Sequence, residues 1–183
     1  VVPGSSLLLR NVGVNPTRTG ILDVLRDMGA EITRENERTS GGEAAADIRV
    51  EASQLHGVSF GAEIMPRLID EIPVIAVAAL FAEGDTVITG AGELRVKETD
   101  RLQAITDEFN KLAPGSVEAS ADGLVIHGGT KVKHASCFSY DDHRMAMSLA
   151  ILGTAGEGVT IEKPACVNIS YPSFYGTLSS LQA

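Results

Sequence analysis

Two segments of this chain follow one plan at a spacing of 72 residues, and that repetition restricts its possible folds more than any other feature. Asp70-Glu-Ile-Pro-Val-Ile-Ala-Val-Ala-Ala-Leu-Phe-Ala-Glu-Gly-Asp-Thr-Val-Ile begins acidic, runs through an apolar helix-like stretch, turns at glycine and ends in a β-branched strand. Asp142-His-Arg-Met-Ala-Met-Ser-Leu-Ala-Ile-Leu-Gly-Thr-Ala-Gly-Glu-Gly-Val-Thr-Ile repeats it, with Gly84 falling on Gly156 and Val87 on Val159 without a gap. Residues 3–9, Pro-Gly-Ser-Ser-Leu-Leu-Leu, resemble the tail of a third copy.

The segments after these strands repeat as well. Ile21, Leu22, Val24, Leu25 and Met28 form one face of a predicted amphipathic helix closed by Gly29. Leu102, Ile105, Phe109 and Leu112 have the same spacing, and Leu178-Ser-Ser-Leu predicts the start of a third such helix. Alternating residues at 31–34, 47–51, 116–119 and 124–127 predict paired strands. The unit is therefore an apolar helix, a strand, an amphipathic helix and a strand pair. A helix that is apolar on every side must be buried on every side, so the two apolar helices are expected inside an α/β domain. The expectation is one domain over residues 1–183, in units of about 1–56, 57–130 and 131–183. The first unit lacks its apolar helix, so a truncated N-terminus is expected.

Charge and composition exclude several functions. Acidic residues outnumber basic ones 24 to 15, a formal charge of −9, which argues against non-specific nucleic-acid binding. Aromatic residues reach only 4% and Trp is absent, which argues against base-stacking platforms. Cys137 and Cys166, with no CxxC or His-rich spacing, form neither a disulfide scaffold nor a structural zinc motif and fit a reduced cytoplasmic compartment. No apolar run approaches the roughly 18 residues of a membrane span, and no leader pattern opens the chain.

Cations gather where helices are expected to begin. In Arg95-Val-Lys-Glu-Thr-Asp-Arg101, Asp100 and Gln103 have capping-box spacing, which puts Lys97 and Glu98 in the entering turn and Arg101 in the first helical turn. A helix N-terminus is already positive, so cations there suit an anion held between them; a solvated, internally salt-bridged turn is the other reading. Arg144 stands likewise at the start of an apolar helix, facing a polar cleft or paired with Asp141 or Asp142. Asp70 either caps its helix or serves chemistry. Since Asp70 and Asp142 are equivalent in the repeat, Asp70, Lys97, Glu98, Arg101 and Arg144 are expected to converge at one mouth, suited to a multiply charged anion and proton transfer.

Residues 95–101 together with Asp142-His-Arg-Met-Ala-Met147 resemble the signature pair of the 5-enolpyruvylshikimate-3-phosphate synthase family, and Asn15-Pro-Thr-Arg-Thr-Gly20, Gly41-Gly-Glu and Ile69-Asp-Glu-Ile-Pro73 extend the resemblance over nearly the whole chain. The resemblance implies an inside-out α/β barrel domain of repeated units with buried parallel helices. It also implies that a partner N-terminal domain of the same enzyme is missing. The implied reaction joins phosphoenolpyruvate to the 5-hydroxyl of shikimate 3-phosphate with loss of phosphate, and no metal or organic cofactor is implied. By motif position, Asp70 would accept the hydroxyl proton and Glu98 would handle the methylene proton. Lys97 would contact shikimate 3-phosphate and assist proton transfer, while Arg101 and Arg144 would bind phosphoenolpyruvate. His143 carries no implied role. The chain departs from some members in lacking Lys between Val167 and Pro172 and in carrying Glu93 where they have Asn. UDP-N-acetylglucosamine enolpyruvyl transferase, which shares fold and donor, and a non-catalytic anion-binding repeat module are the competing readings.

Overall fold

A computed structural model of the protein describes residues 1–181; Gln182 and Ala183, the end of the third expected unit, lie outside the described residues. In chain order the elements are β1 (Ser6–Gly13), α1 (Gly20–Asp27), β2 (Ile32–Ser40), β3 (Glu43–Glu51), β4 (Ser59–Phe60), α2 (Ile72–Leu80), β5 (Asp85–Ile88), α3 (Arg101–Leu112), β6 (Val117–Ala119), β7 (Leu124–His127), β8 (Ser136–Phe138), α4 (His143–Ala155), β9 (Thr160–Glu162) and α5 (Phe174–Leu181).

The repeat is real in three dimensions. Each apolar helix is the crossover of a β-α-β unit, α2 joining parallel strands β4 and β5 and α4 joining parallel strands β8 and β9. The two helices pack against each other. Along α2, Ile72, Pro73, Ile75, Ala76, Val77, Ala79 and Leu80 are buried. On α4, Met145, Ala146, Ser148, Leu149, Ala150 and Leu152 are buried. Most of these residues join Leu102, Ile105, Phe109 and Leu112 of α3 in one core. Burying a large aliphatic or aromatic side chain gains about 1.5–3 kcal/mol, so this shared core holds α2, α3 and α4 together.

Antiparallel strands complete the outer layer. Strands β5, β7 and β6 follow β4 in a four-stranded sheet, while β1, β3 and β2 form a separate three-stranded sheet. The predicted strands at 31–34 and 47–51 are the inner ends of a longer hairpin. Gly41 and Gly42 both have positive φ (60° and 88°), the backbone a two-residue primed turn requires, and pairing runs on to Ser40 opposite Glu43. Gly29, at φ 93°, ends α1 as expected, with the Ala30 N–H returning to the Leu25 carbonyl. The last helix starts at Phe174, four residues before the expected Leu178, just after Pro172. Among the described residues before β4 there is no counterpart of α2 and α4, and Leu7 and Leu9 of β1 are 38% and 46% exposed.

Candidate active site

Three helix starts meet at one buried guanidinium. Arg101 is the first residue of α3, and its side chain is only 1% exposed. Its Nε donates to Asp142 (2.8 Å), Nη1 to Asp70 (3.2 Å) and Nη2 to Glu98 (2.6 Å). Asp70 lies in the helical turn leading into α2, and its second oxygen accepts from Arg144 Nη2 at 3.2 Å. Asp142 is wholly buried and caps α4, accepting the N–H groups of Arg144 (2.8 Å) and Met145 (3.3 Å) with the carboxylate that also holds Arg101. Burial alone would lower the affinity of Arg101 for its proton; Asp142, then Glu98 and Asp70, outweigh it and raise it. Two guanidiniums thus share three carboxylates.

Of the residues singled out from the sequence, Asp70, Glu98, Arg101 and Arg144 come together. Lys97 does not join them: its ammonium pairs with Glu93 at 2.5 Å on the turn before α3. Arg95 binds Asp100 (2.7 Å) and the carbonyls of Ser120 and Ala121, so the internally bridged turn is also present. Asp70 is no helix cap, since no side chain caps α2; its carboxylate is committed to the two arginines. Asp100 caps α3 through the Gln103 N–H (3.0 Å), but the Gln103 side chain turns to Asp107, so the capping box is half-formed. Asp141 pairs with Lys163 instead of Arg144. Asp142 escaped the sequence reading as a site residue. Its repeat equivalence to Asp70 was the available signal.

A small cavity of about 190 Å³ opens beside Asp70 and Arg144, walled by Val74, Met147 and Ile151 of the apolar helices and by Phe174. Glu71 lines it too; burial raises its proton affinity, against the opposing effect of Arg144. A larger cleft of about 470 Å³ near Pro3, Leu55 and Phe81 has no ionisable side chain in its lining. Among the described residues no cluster of His, Cys, Asp and Glu is suited to a metal ion. No described helix is long and apolar enough to cross a membrane.

Similarity to solved structures shows that these paired parallel crossovers, with a charged cluster where their helices begin, belong to an enolpyruvyl-transferase type of inside-out α/β domain. An EPSP synthase from Acinetobacter baumannii superposes at a TM-score of 0.92 with 40% identity, over 97% of this chain and 42% of that one. The enolpyruvyl transferase NikO from Streptomyces tendae, 19% identical, shares the fold at 0.68 over 89% of this chain and 35% of that one. The family model of EPSP synthase (3-phosphoshikimate 1-carboxyvinyltransferase) matches residues 1–178, and the chain belongs to that family. It is 55% identical to the 3-phosphoshikimate 1-carboxyvinyltransferase of Synechocystis sp. over 99% of this chain, and 52% identical to that of Thermoanaerobacter sp. over the same share. The chain spans 40% of the first relative's length and 43% of the second's.

Proposed function

We propose that the chain supplies one wall of an active site that transfers the enolpyruvyl group of phosphoenolpyruvate to the 5-hydroxyl of shikimate 3-phosphate, in the cytoplasm, with a second domain closing the site from the other side. Residues 1–183 then act as one domain of three units, about 1–56, 57–130 and 131–183. The observation that carries this reading is the meeting of Asp70, Glu98, Arg101 and Arg144 at three helix starts.

The charges determine the chemistry. The hydroxyl oxygen bonds to C2 of the enol ester as its proton passes to a base and C3 receives a proton. Phosphate then leaves C2 as C3 returns a proton, restoring the double bond. Asp70 is the base toward the hydroxyl and Glu98 the acid and base toward C3, in the manner of positioned carboxylates. Lys97 would leave Glu93 to meet the 3-phosphate and assist proton transfer. Arg144, one-third exposed and bound to one carboxylate, is the open cation for the donor's carboxylate. Arg101 contributes when Glu98, 46% exposed, yields its place to the donor; Asp142, wholly buried, stays. Positive charge fixed beforehand in a closed, water-poor cleft stabilises charge that develops during addition.

The test uses an enzyme of the relatives' full length that carries this chain. Phosphate release from phosphoenolpyruvate should require shikimate 3-phosphate and fail with UDP-N-acetylglucosamine; the converse would overturn the assignment. Arg144→Ala should raise the KM for phosphoenolpyruvate about 10–100-fold, the worth of one charged hydrogen bond, and leave that for shikimate 3-phosphate nearly unchanged.

A further inference from the structure

Two turns along α3 from Arg101, on the same face, a second carboxylate is buried. Glu108 is 1% exposed, and both its oxygens are satisfied: Lys111 Nζ donates to each (2.7 and 2.9 Å), and the Phe138 N–H and the Tyr140 hydroxyl add one bond each at 2.9 Å. The last two donors belong to β8 and the turn after it. That turn is unusual: Tyr140 (φ 59°) and Asp141 (φ 55°) are consecutive non-glycine residues in the left-handed region, which side-chain-bearing residues rarely adopt. Such backbone persists only where its surroundings over-determine it. Asp142, the partner of Arg101, comes next, and Arg144 stands two residues on.

The turn is tied on two sides. Within it the Ser139 carbonyl accepts the Asp142 N–H (3.0 Å); toward β9, Ser139 donates its N–H to the Glu162 carbonyl (3.3 Å) and its hydroxyl to the Lys163 carbonyl (3.1 Å), and Lys163 reaches Asp141. Toward α3, the tie is Glu108. The helix that delivers Arg101 at its first turn therefore also fixes, through a buried carboxylate, the turn that delivers Asp142 and Arg144. Burial, and then the bond to Glu108, push the Tyr140 hydroxyl up to about 12, so it remains a donor throughout the neutral range.

We infer that Glu108 is a positioning residue for the transfer reaction: through Phe138 and Tyr140 it holds the left-handed turn that presents Asp142 and Arg144 to the anion site. This inference rests on the proposed reaction, and it predicts an effect on the donor anion in particular. A purely structural carboxylate would instead change stability and the active fraction of enzyme.

The experiment compares the unsubstituted full-length enzyme with Tyr140→Phe, which keeps the ring against Phe138 and deletes only the donor, and with Glu108→Gln. Tyr140→Phe should raise the KM for phosphoenolpyruvate about tenfold while that for shikimate 3-phosphate stays within about twofold. Hydrogen exchange at the Arg144 and Met145 amides, held by the Asp142 cap, should quicken about tenfold in either variant. Unchanged exchange, or a fall in kcat with both KM values unchanged, would overturn the inference. Quickened exchange in an enzyme that, unsubstituted, turns over neither substrate would support the clamp and overturn the reaction instead.

Discussion

Asp142 has two functions in one carboxylate: it caps α4 and neutralises Arg101 in a place water does not reach. Removing a member of a buried ion pair costs up to about 3–5 kcal/mol, and here Arg101 would lose its one wholly buried partner while keeping Asp70 and Glu98. Asp142→Ala should therefore destabilise the chain by about that much, whereas Asp142→Asn, which can still cap, should cost clearly less. Urea unfolding of the three proteins checks this; a loss below about 1 kcal/mol for the alanine variant would mean that Asp70 and Glu98 suffice to balance Arg101. Cys137 shows the opposite environment, where burial pushes the thiol up to about 12 and leaves it inert as a nucleophile.

Elements are shaped by such contacts as much as by their own propensities. Strands β1 and β2 each bulge beside Asp47 of the central strand β3, at Asn11 (φ 57°) and Asn36 (φ 51°). Asparagine tolerates the left-handed conformation better than most residues. Asp47 accepts the Asn11 N–H (2.8 Å), the Asn36 amide (3.0 Å) and the Arg38 guanidinium (3.1 Å). These bonds, led by that from Asn11, lower its carboxyl from 3.8 to about 2 against the effect of burial. A carboxylate depressed on folding stabilises the folded state above its unfolded value and loses that contribution as pH falls. The three-stranded sheet should thus weaken as pH drops from 3.8 toward 2. An acid-unfolding series would show this loss in the parent and not in Asp47→Asn; parallel curves would point to other carboxylates.

Across the whole molecule, stability is unevenly distributed. The main core runs from α1 through α2, α3 and α4, while the three-stranded sheet rests on a separate cluster whose buried members are Val14, Ala46 and Ile48. Regions with few buried apolar contacts open at lower free energy than the global transition. Amides of β1, β2 and β3 should therefore exchange with solvent before those of α2 and α4, as read by peptide-resolved mass spectrometry. Simultaneous exchange would mean that the Arg67 contacts to Asp23 and the Pro16 carbonyl help make the three-stranded sheet one cooperative body with the rest.

What the sequence determined by itself is local. Periodicity placed α1 and α3, continuous apolar runs repeated at 72 residues placed α2 and α4, and β-branched alternation placed β7. Glycine and aspartate marked the ends of α1 and α3, because each of these signals acts within one or two turns of chain. Strands β4 and β8, two and three residues long, are too short to carry a period, and they emerge only as partners of β5 and β9. The motif residues of the site were legible, and the 72-residue repeat indicated that their helix starts share one end of the domain. Which carboxylate meets which guanidinium was not. Asp70 bonds Arg101 across 31 residues and Arg144 across 74, and Asp142 bonds Arg101 across 41. An ion pair's identity depends on the angle and separation of packed elements, to which spacing along the chain is blind. The tertiary structure therefore decided that Asp70 is no cap, that Asp142 is central, and that Glu108 reaches the turn before α4. Each of these rests on side chains that converge only after the apolar helices are buried.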